Sequence, residues 1–259
     1  MTTQYPILLV HGIAIKEFKL VRAFGRIGTR LQKAGYTVFT SDTDGFGTIE
    51  NNAAQLKAQL ERILAETGTE KVNIIAHSKG GLDAKYMIRN LGMADRVASL
   101  TTLCTPHGGS QVATWLYSLP RWIKGFIAFW VNLWYRIFGD KHPDALVVCR
   151  QLQATPNAEL DGLVPVEGVF CQSYSSRMER GRDDFLMSIP YLFMRHWDNA
   201  PTDGLVSVES AQFATYRGDC LDGSLSHTEV VGFSLHKKKR EQVYAFYLSL
   251  CEELAERGF

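Results

Sequence analysis

Acyl transfer needs three side chains: a hydroxyl that attacks, an imidazole that takes its proton, and a carboxylate that orients the imidazole. The chain presents one hydroxyl in an unusual setting, in the run Asn73-Ile74-Ile75-Ala76-His77-Ser78-Lys79-Gly80-Gly81. An apolar run that stops abruptly in small residues around a serine reads as a strand passing into a helix through a turn too tight for large side chains. Such a turn lifts the Ser78 hydroxyl clear of the backbone, at the head of a helix whose amides point towards it. Ala76 stands where this pattern usually has glycine, but any small residue can make the crossing. By itself the run also fits an ordinary strand-to-helix junction, so its partners have to be found elsewhere in the chain.

Seven histidines are candidates for the base. His11, in Val10-His11-Gly12, and His77, beside the serine, are placed to shape the site. His107 sits in a Pro-Gly-Gly loop, His142 in a helical insertion, His196 ahead of an acidic loop, and His236 at the opening of the last helix. His227, in Leu225-Ser226-His227-Thr228-Glu229-Val230, comes late in the chain, just before the C-terminal helix, and is the expected base. For the acid, Asp-Gly-Leu-Val occurs twice, at Asp161 and at Asp203. A carboxylate that meets the base should follow a strand, which favours Asp203. Asp161 precedes a strand and reads equally as a turn-former, and Asp198 is a spare. The oxyanion formed in acyl transfer needs backbone donors. The expected pair is the N–H of Lys79, just after the nucleophile, and that of Ile13, where Gly12 allows the backbone to come close. The Lys79 side chain is expected to take no part.

The elements that must hold these groups are strands at 6–10, 36–40, 72–76, 97–103 and 167–172, each apolar enough to be buried on both faces. Between them run helical stripes: Leu20, Phe24, Ile27 and Leu31, then Ile49, Ala53, Leu56, Leu60 and Ile63. Gly35 and Gly68 stand where these helices should stop. A short helix is expected at about 208–215, followed by a returning strand or loop, and a final helix at about 238–256. This order predicts a doubly wound, mostly parallel α/β sheet with functional groups at the carboxyl ends of its strands. The expected organisation is one domain over 1–259, with a helical, aromatic-rich insertion at about 112–160. Trp115, Trp122, Phe126, Trp130 and Trp134 fall in that insertion. Ile123, Phe126, Ile127, Trp130, Trp134 and Ile137 form one broad stripe there, with Lys124, Asn132 and Arg136 mostly off it. Two readings stand side by side: a buried insertion packing its aromatics on the core, or a cap whose apolar face lines an acyl pocket or meets lipid. The apolar run is too short and too charged to span a bilayer.

A net charge of +1 argues against a nucleic-acid partner, which needs a basic surface. The one dense basic cluster, Lys237-Lys238-Lys239-Arg240, reads as a solvated helix face. Five scattered cysteines without a Cys-x-x-Cys pair argue against a zinc site or a disulfide framework and suit a reducing compartment. With Met1 as the native start no export signal is visible and a cytoplasmic location is expected; a trimmed start would leave secretion open.

Together, Val10-His11-Gly12, Ala76-His77-Ser78-Lys79-Gly80-Gly81, Thr105-Pro106-His107-Gly108-Gly109-Ser110 and Asp203-Gly204-Leu205-Val206 resemble the bacterial triacylglycerol lipases of the α/β-hydrolase superfamily, with the nearest likeness in Pseudomonas and Burkholderia. The motifs occur in the same order over most of the chain outside the insertion. The resemblance implies an α/β-hydrolase fold with a lid, nucleophile Ser78, acid Asp203 and base His227. It implies a lipid or small ester as substrate, a lipid–water interface met through the lid, and no cofactor. There are departures. Those lipases hold a structural calcium; here Glu229 follows His227-Thr228, with Asp183 and Asp184 as upstream candidates, so calcium is a minor expectation. Gly108 stands where those lipases often carry arginine. The expected activity is hydrolysis of esters of apolar acyl chains. An acyltransferase or phospholipase using the same triad, or a non-catalytic lipid-binding module, are the alternatives.

Overall fold

The segment Ile7-Leu8-Leu9-Val10 has no polar side chain, and neither face of the strand it forms meets water. In the computed structural model, which describes residues 2–13, 23–154, 165, 167–197 and 199–259, Ile7 and Leu9 pack into one core cluster and Leu8 and Val10 into another. That alternation is the period-two geometry of a strand buried from both sides. The strands are β1 (Ile7–Val10), β2 (Val38–Thr40), β3 (Val72–His77), β4 (Val97–Leu103), β5 (Phe170–Ser175) and β6 (Thr215–Asp219). They lie in the order β2-β1-β3-β4-β5-β6, every pair parallel. Helices α1 (Ile27–Lys33) and α8 (Lys237–Glu256) pack on one face, α2 (Ile49–Thr67) and α3 (Lys79–Asn90) on the other.

The α2 stripe is buried as its spacing predicts, from Ile49 to Ile63. Thr48 caps its start by accepting the Asn51 N–H, and Gly68 closes its end in the left-handed region at φ 67°. Two expectations need correction. β5 runs from 170 to 175, three residues later than the apolar run suggests. The expected helix at about 208–215 is a single turn at 208–211, and its last residue begins β6. Ser207 caps the start of the turn, and Ser173 of β5 ends it by exchanging hydrogen bonds with the Phe213 main chain. The Ser207 hydroxyl accepts the Ser210 N–H, while the Ser210 hydroxyl leaves the turn to donate to the Gly109 carbonyl. Phe213 is then drawn into the core. Leu20, Asp161 and Asp198 lie outside the described residues.

The insertion contains α4 (Gln111–Ser118), α5 (Arg121–Ile137) and α6 (Ala145–Gln151). Its far root is fixed by an exchange between two loops. The Asp44 carboxylate accepts the N–H groups of Lys141 and His142 at 3.0 and 2.9 Å. In return, Asp140 accepts those of Gly45 and Phe46 at 3.0 and 2.9 Å. The remaining helix, α7 (Ser188–Trp197), lies between β5 and β6 in the chain and packs on α4 through Trp115 and Phe193, 5.1 Å between ring centroids. No helix among the described residues is long and apolar enough to cross a membrane.

Candidate active site

The turn at Ser78 is as tight as its composition implies. β3 ends at His77 and α3 begins at Lys79, so Ser78 alone makes the junction, at φ 55° and ψ −136°. A β-carbon residue pays strain at positive φ, and such outliers persist where their surroundings hold them. Here the Ser78 N–H donates to Leu103, and its carbonyl accepts the Thr105 hydroxyl at 2.8 Å. Three glycines make the packing feasible. A β-carbon at Gly80 would lie 2.4 Å from the His11 carbonyl oxygen, and one at Gly81 would lie 2.2 Å from the Thr105 hydroxyl. At Gly12 it would lie 2.6 Å from the Ser78 β-carbon itself. Ala76 is fully buried in β3, where its methyl group fits.

Across the carboxyl ends of the strands, the structure brings the three expected side chains into one relay. His227 Nε2 lies 2.9 Å from Ser78 Oγ, and its Nδ1 lies 2.6 Å from Asp203 Oδ2. Asp203 is almost fully buried, and its other oxygen accepts the N–H groups of Leu205 and Val206. Those bonds fix the carboxylate in a turn of its own making. The acid loop is drawn to the end of β5 by the Met178 N–H donating to the Thr202 carbonyl, and it accepts the His227 N–H at the Asp203 carbonyl, 3.0 Å away. The base and its acid are therefore joined by backbone as well as by side chain.

The oxyanion side is partly visible. Gly12 lies against the serine, and a β-carbon there would stand 3.0 Å from the Lys79 nitrogen. The loop after β1 therefore abuts the amide that follows the nucleophile. Lys79 occupies the first turn of α3, where no earlier helical carbonyl takes its N–H. Ile13 is the last residue described before position 23 and is 40% exposed. His11 is buried, with Nδ1 2.8 Å from the Gly12 carbonyl. His77 lies against the base, 4.5 Å between ring centroids. Burial, reinforced by the neighbouring His227, holds its pKa well below the ordinary histidine value, so it stays neutral. His107 is likewise buried, stacked on Phe213, and held neutral by burial and the Lys85 charge.

The sequence missed two features around the relay. The Lys79 side chain runs inwards, and its ammonium binds both oxygens of Asp83 at 2.8 and 2.9 Å. Asn52 adds a third bond to that carboxylate at 3.0 Å. Both charges are excluded from water, and burial pushes the Asp83 pKa up to about 6 in spite of the Lys79 ammonium. The i, i+4 spacing was the available signal. The second feature is Asp184, which accepts the hydroxyls of Ser226 and Thr228 at 2.5 and 2.7 Å, so one carboxylate grips both neighbours of His227. Burial works to raise its pKa, but these hydroxyl bonds and the N–H groups of Leu186 and Met187 together outweigh it and hold the carboxyl below the usual value.

This bonding bears on calcium. The Glu229 oxygens accept the Ser226 N–H, the Ser234 hydroxyl and the Lys239 ammonium, the last at 2.8 Å. An ammonium already balances the buried carboxylate, and Asp184 is engaged by hydroxyls. These residues do not fit a calcium site. Among the described residues no group of three or more His, Cys, Asp or Glu is arranged to hold a metal ion.

The aromatic helix α5 departs furthest from expectation. Of its residues only Ala128 is buried, whereas Trp122, Phe126, Trp130 and Trp134 are 77, 64, 53 and 55% exposed. The side turned to the protein is mixed: Ala128 is buried, Tyr135 packs on Phe46 with 4.6 Å between ring centroids, Lys124 donates to the Tyr117 carbonyl, and Asn132 accepts the Ala145 N–H. The stripe is real, but it points outwards. The reading of a buried insertion packing its aromatics on the core is corrected, because the rings of the stripe stand exposed and the inward contacts of α5 come from Lys124, Ala128, Asn132 and Tyr135. Trp115, on α4, is the more enclosed exception, at 39% exposure.

Comparison with known proteins agrees with this architecture. The model of a family described as the alpha/beta hydrolase fold matches residues 5–160. "Triacylglycerol lipase 2" of Saccharomyces cerevisiae is 28% identical over 258 residues, covering 88% of this chain and 72% of the yeast protein. A "Triacylglycerol lipase" of Burkholderia plantarii is 33% identical over 180 residues, covering 64% of this chain and 50% of its own. The chain thus spans about half the length of that bacterial relative. The crystal structure of Staphylococcus hyicus lipase superposes with a TM-score of 0.72 at 14% identity, covering 98% of this chain and 97% of the other, a likeness of fold.

Proposed function

The chain belongs to the α/β-hydrolase family, and from that premise we propose that it is a serine hydrolase that cleaves carboxylic esters of apolar acyl chains. The observation that carries this reading is the unbroken relay from Ser78 through His227 to Asp203, with spacings of 2.9 and 2.6 Å. In the first half-reaction Ser78 Oγ attacks the ester carbonyl while His227 Nε2 takes its proton. Asp203 holds the imidazolium through Nδ1, and the amides of Lys79 and Ile13 receive the developing oxyanion. His227 then returns the proton to the leaving alcohol, which departs and leaves an acyl-Ser78 ester. In the second half-reaction water attacks that ester with His227 again as base, releasing the acid and restoring the serine.

The outward stripe of α5 supports a substrate presented at a lipid surface. A contiguous exposed apolar face on an otherwise ordinary protein marks an interaction site. The relatives named as triacylglycerol lipases make esters of long acyl chains the natural class to try. Turnover of p-nitrophenyl esters by the wild type and by Ser78→Ala is the direct test. Removing the nucleophile should lower kcat by about 10⁶-fold, and equal rates would sink the assignment.

A further inference from the structure

A second unpartnered apolar surface lies beside the base and belongs to other residues than α5. Phe185, Leu186 and Ile189, at the start of α7, are 88, 66 and 81% exposed. Leu235, in the loop before α8, is 95% exposed, with Phe233 nearby at 40%. The two segments meet at one residue. Asp184, next to Phe185, accepts the Thr228 hydroxyl, and the Thr228 carbonyl accepts the Phe233 N–H. Both apolar tips therefore hang on the loop that carries His227.

Cations border these tips. Arg180 and Arg182 are exposed on the segment leading to Phe185, which is tied to the same loop by the Ser224 hydroxyl on Asp183. On the other side α8 opens with Lys237-Lys238-Lys239-Arg240, with no acidic residue in its first turn and no side-chain cap. That placement runs against the helix dipole, which favours anions at this end. Lys239 serves the interior through Glu229, and Arg240 donates to the Ser234 carbonyl. Lys237 and Lys238 are exposed, and Glu241, on the next turn, is taken by Arg30 at 2.7 Å. Cations kept where the helix disfavours them, around exposed Phe and Leu, complement a surface that is apolar beneath and anionic above. A two-fold contact with a second copy would instead set these cations near one another.

We propose that the face formed by residues 180–192 and 233–240 docks on an anionic lipid bilayer, placing the mouth of the site at the membrane. This extends the reading of Ser78 as acting on lipid esters. It is tested in Ser78→Ala protein, so that binding and turnover succeed or fail separately. The measurement is co-sedimentation with vesicles of phosphatidylcholine, with and without phosphatidylglycerol, at low and high salt. Binding should require phosphatidylglycerol and weaken with salt. Lys237→Glu combined with Lys238→Glu should weaken it by about tenfold or more, with an unchanged or raised Tm because the helix dipole is then better matched. Leu235→Ser, in an exposed loop position, should weaken it as well. Equal binding to neutral vesicles, or binding that neither variant alters, overturns the proposal. So does a dimer seen by light scattering that Leu235→Ser dissociates, since a second copy would then be the occupant.

Discussion

The Ser78 turn and helix α5 are opposite solutions within one chain. At the turn, missing β-carbons let backbones approach to distances that no side chain could tolerate, and each polar group of the relay has a defined partner. In α5 a single alanine is buried, and Phe126, Phe129 and Trp130 pack on one another while each stays more than half exposed. The first region is specified by exclusion, because almost any addition collides. The second is specified by composition, and many apolar residues could stand in for those present. Geometry held to tenths of an ångström suits a proton relay, whereas a loose apolar face suits a partner without fixed shape.

That contrast can be broken at several points. The largest effect is expected at Asp203→Asn, which keeps the size of the side chain but offers His227 the wrong hydrogen-bonding pattern. Its kcat should fall by about 10⁴-fold with little change in KM, and a fall of tenfold or less on soluble esters would show that the relay is not used. Next comes Asp83→Asn, which strands the Lys79 ammonium in the interior. Denaturant unfolding should show a loss of about 3–5 kcal/mol, and pairing Lys79→Met with Asp83→Leu should restore most of it. If the single variant is as stable as the wild type, the pair does not anchor the first turn of α3.

A smaller effect is expected at Asp184→Asn, which weakens the grip on both neighbours of His227. Two charge-assisted bonds become neutral ones, a change of about 1–2 kcal/mol. It should appear as a lower kcat at unchanged KM, with partial activity kept by Asp184→Glu; a shift in Tm alone would make the role structural. The smallest effect on stability belongs to α5. Trp122→Ser, Phe126→Ser and Trp130→Ser together should leave stability within about 1 kcal/mol, as exposed substitutions generally do, and leave turnover of dissolved esters intact. Activity on emulsified esters should drop several-fold. A collapse in Tm would mean that these rings support the core after all.

The sequence made the elbow legible because a tight turn restricts which residues can occupy it. Gly12, Ser78, Gly80 and Gly81 each leave a mark in the chain, and the order of Asp203 and His227 after them supplied the rest. Periodicity also found α2 and α8 to within a residue or two. It failed for the direction of α5, since a stripe of apolar residues reveals that a face exists and not what it faces. β6 was obscured because Thr215-Tyr216-Arg217-Gly218-Asp219 is a polar edge strand, partly exposed along its length. Asp184 was noticed only as a cation ligand. Its hydroxyl partners lie more than forty residues away, and only the fold brings them together.

The paired loops at the far root of the insertion have a consequence for how this chain can change. Asp44 and Asp140 each hold the other loop by its main-chain amides, so these bonds are indifferent to the side chains at positions 45, 141 and 142, while the Phe46 ring meets Tyr135 of α5. The outward face of α5, from Trp122 to Trp134, is carried by a mount that does not read it. A lineage, or an engineer, can rewrite that face for another surface and keep Asn132 and Tyr135 as its seating, much as a tool is changed without remaking the handle.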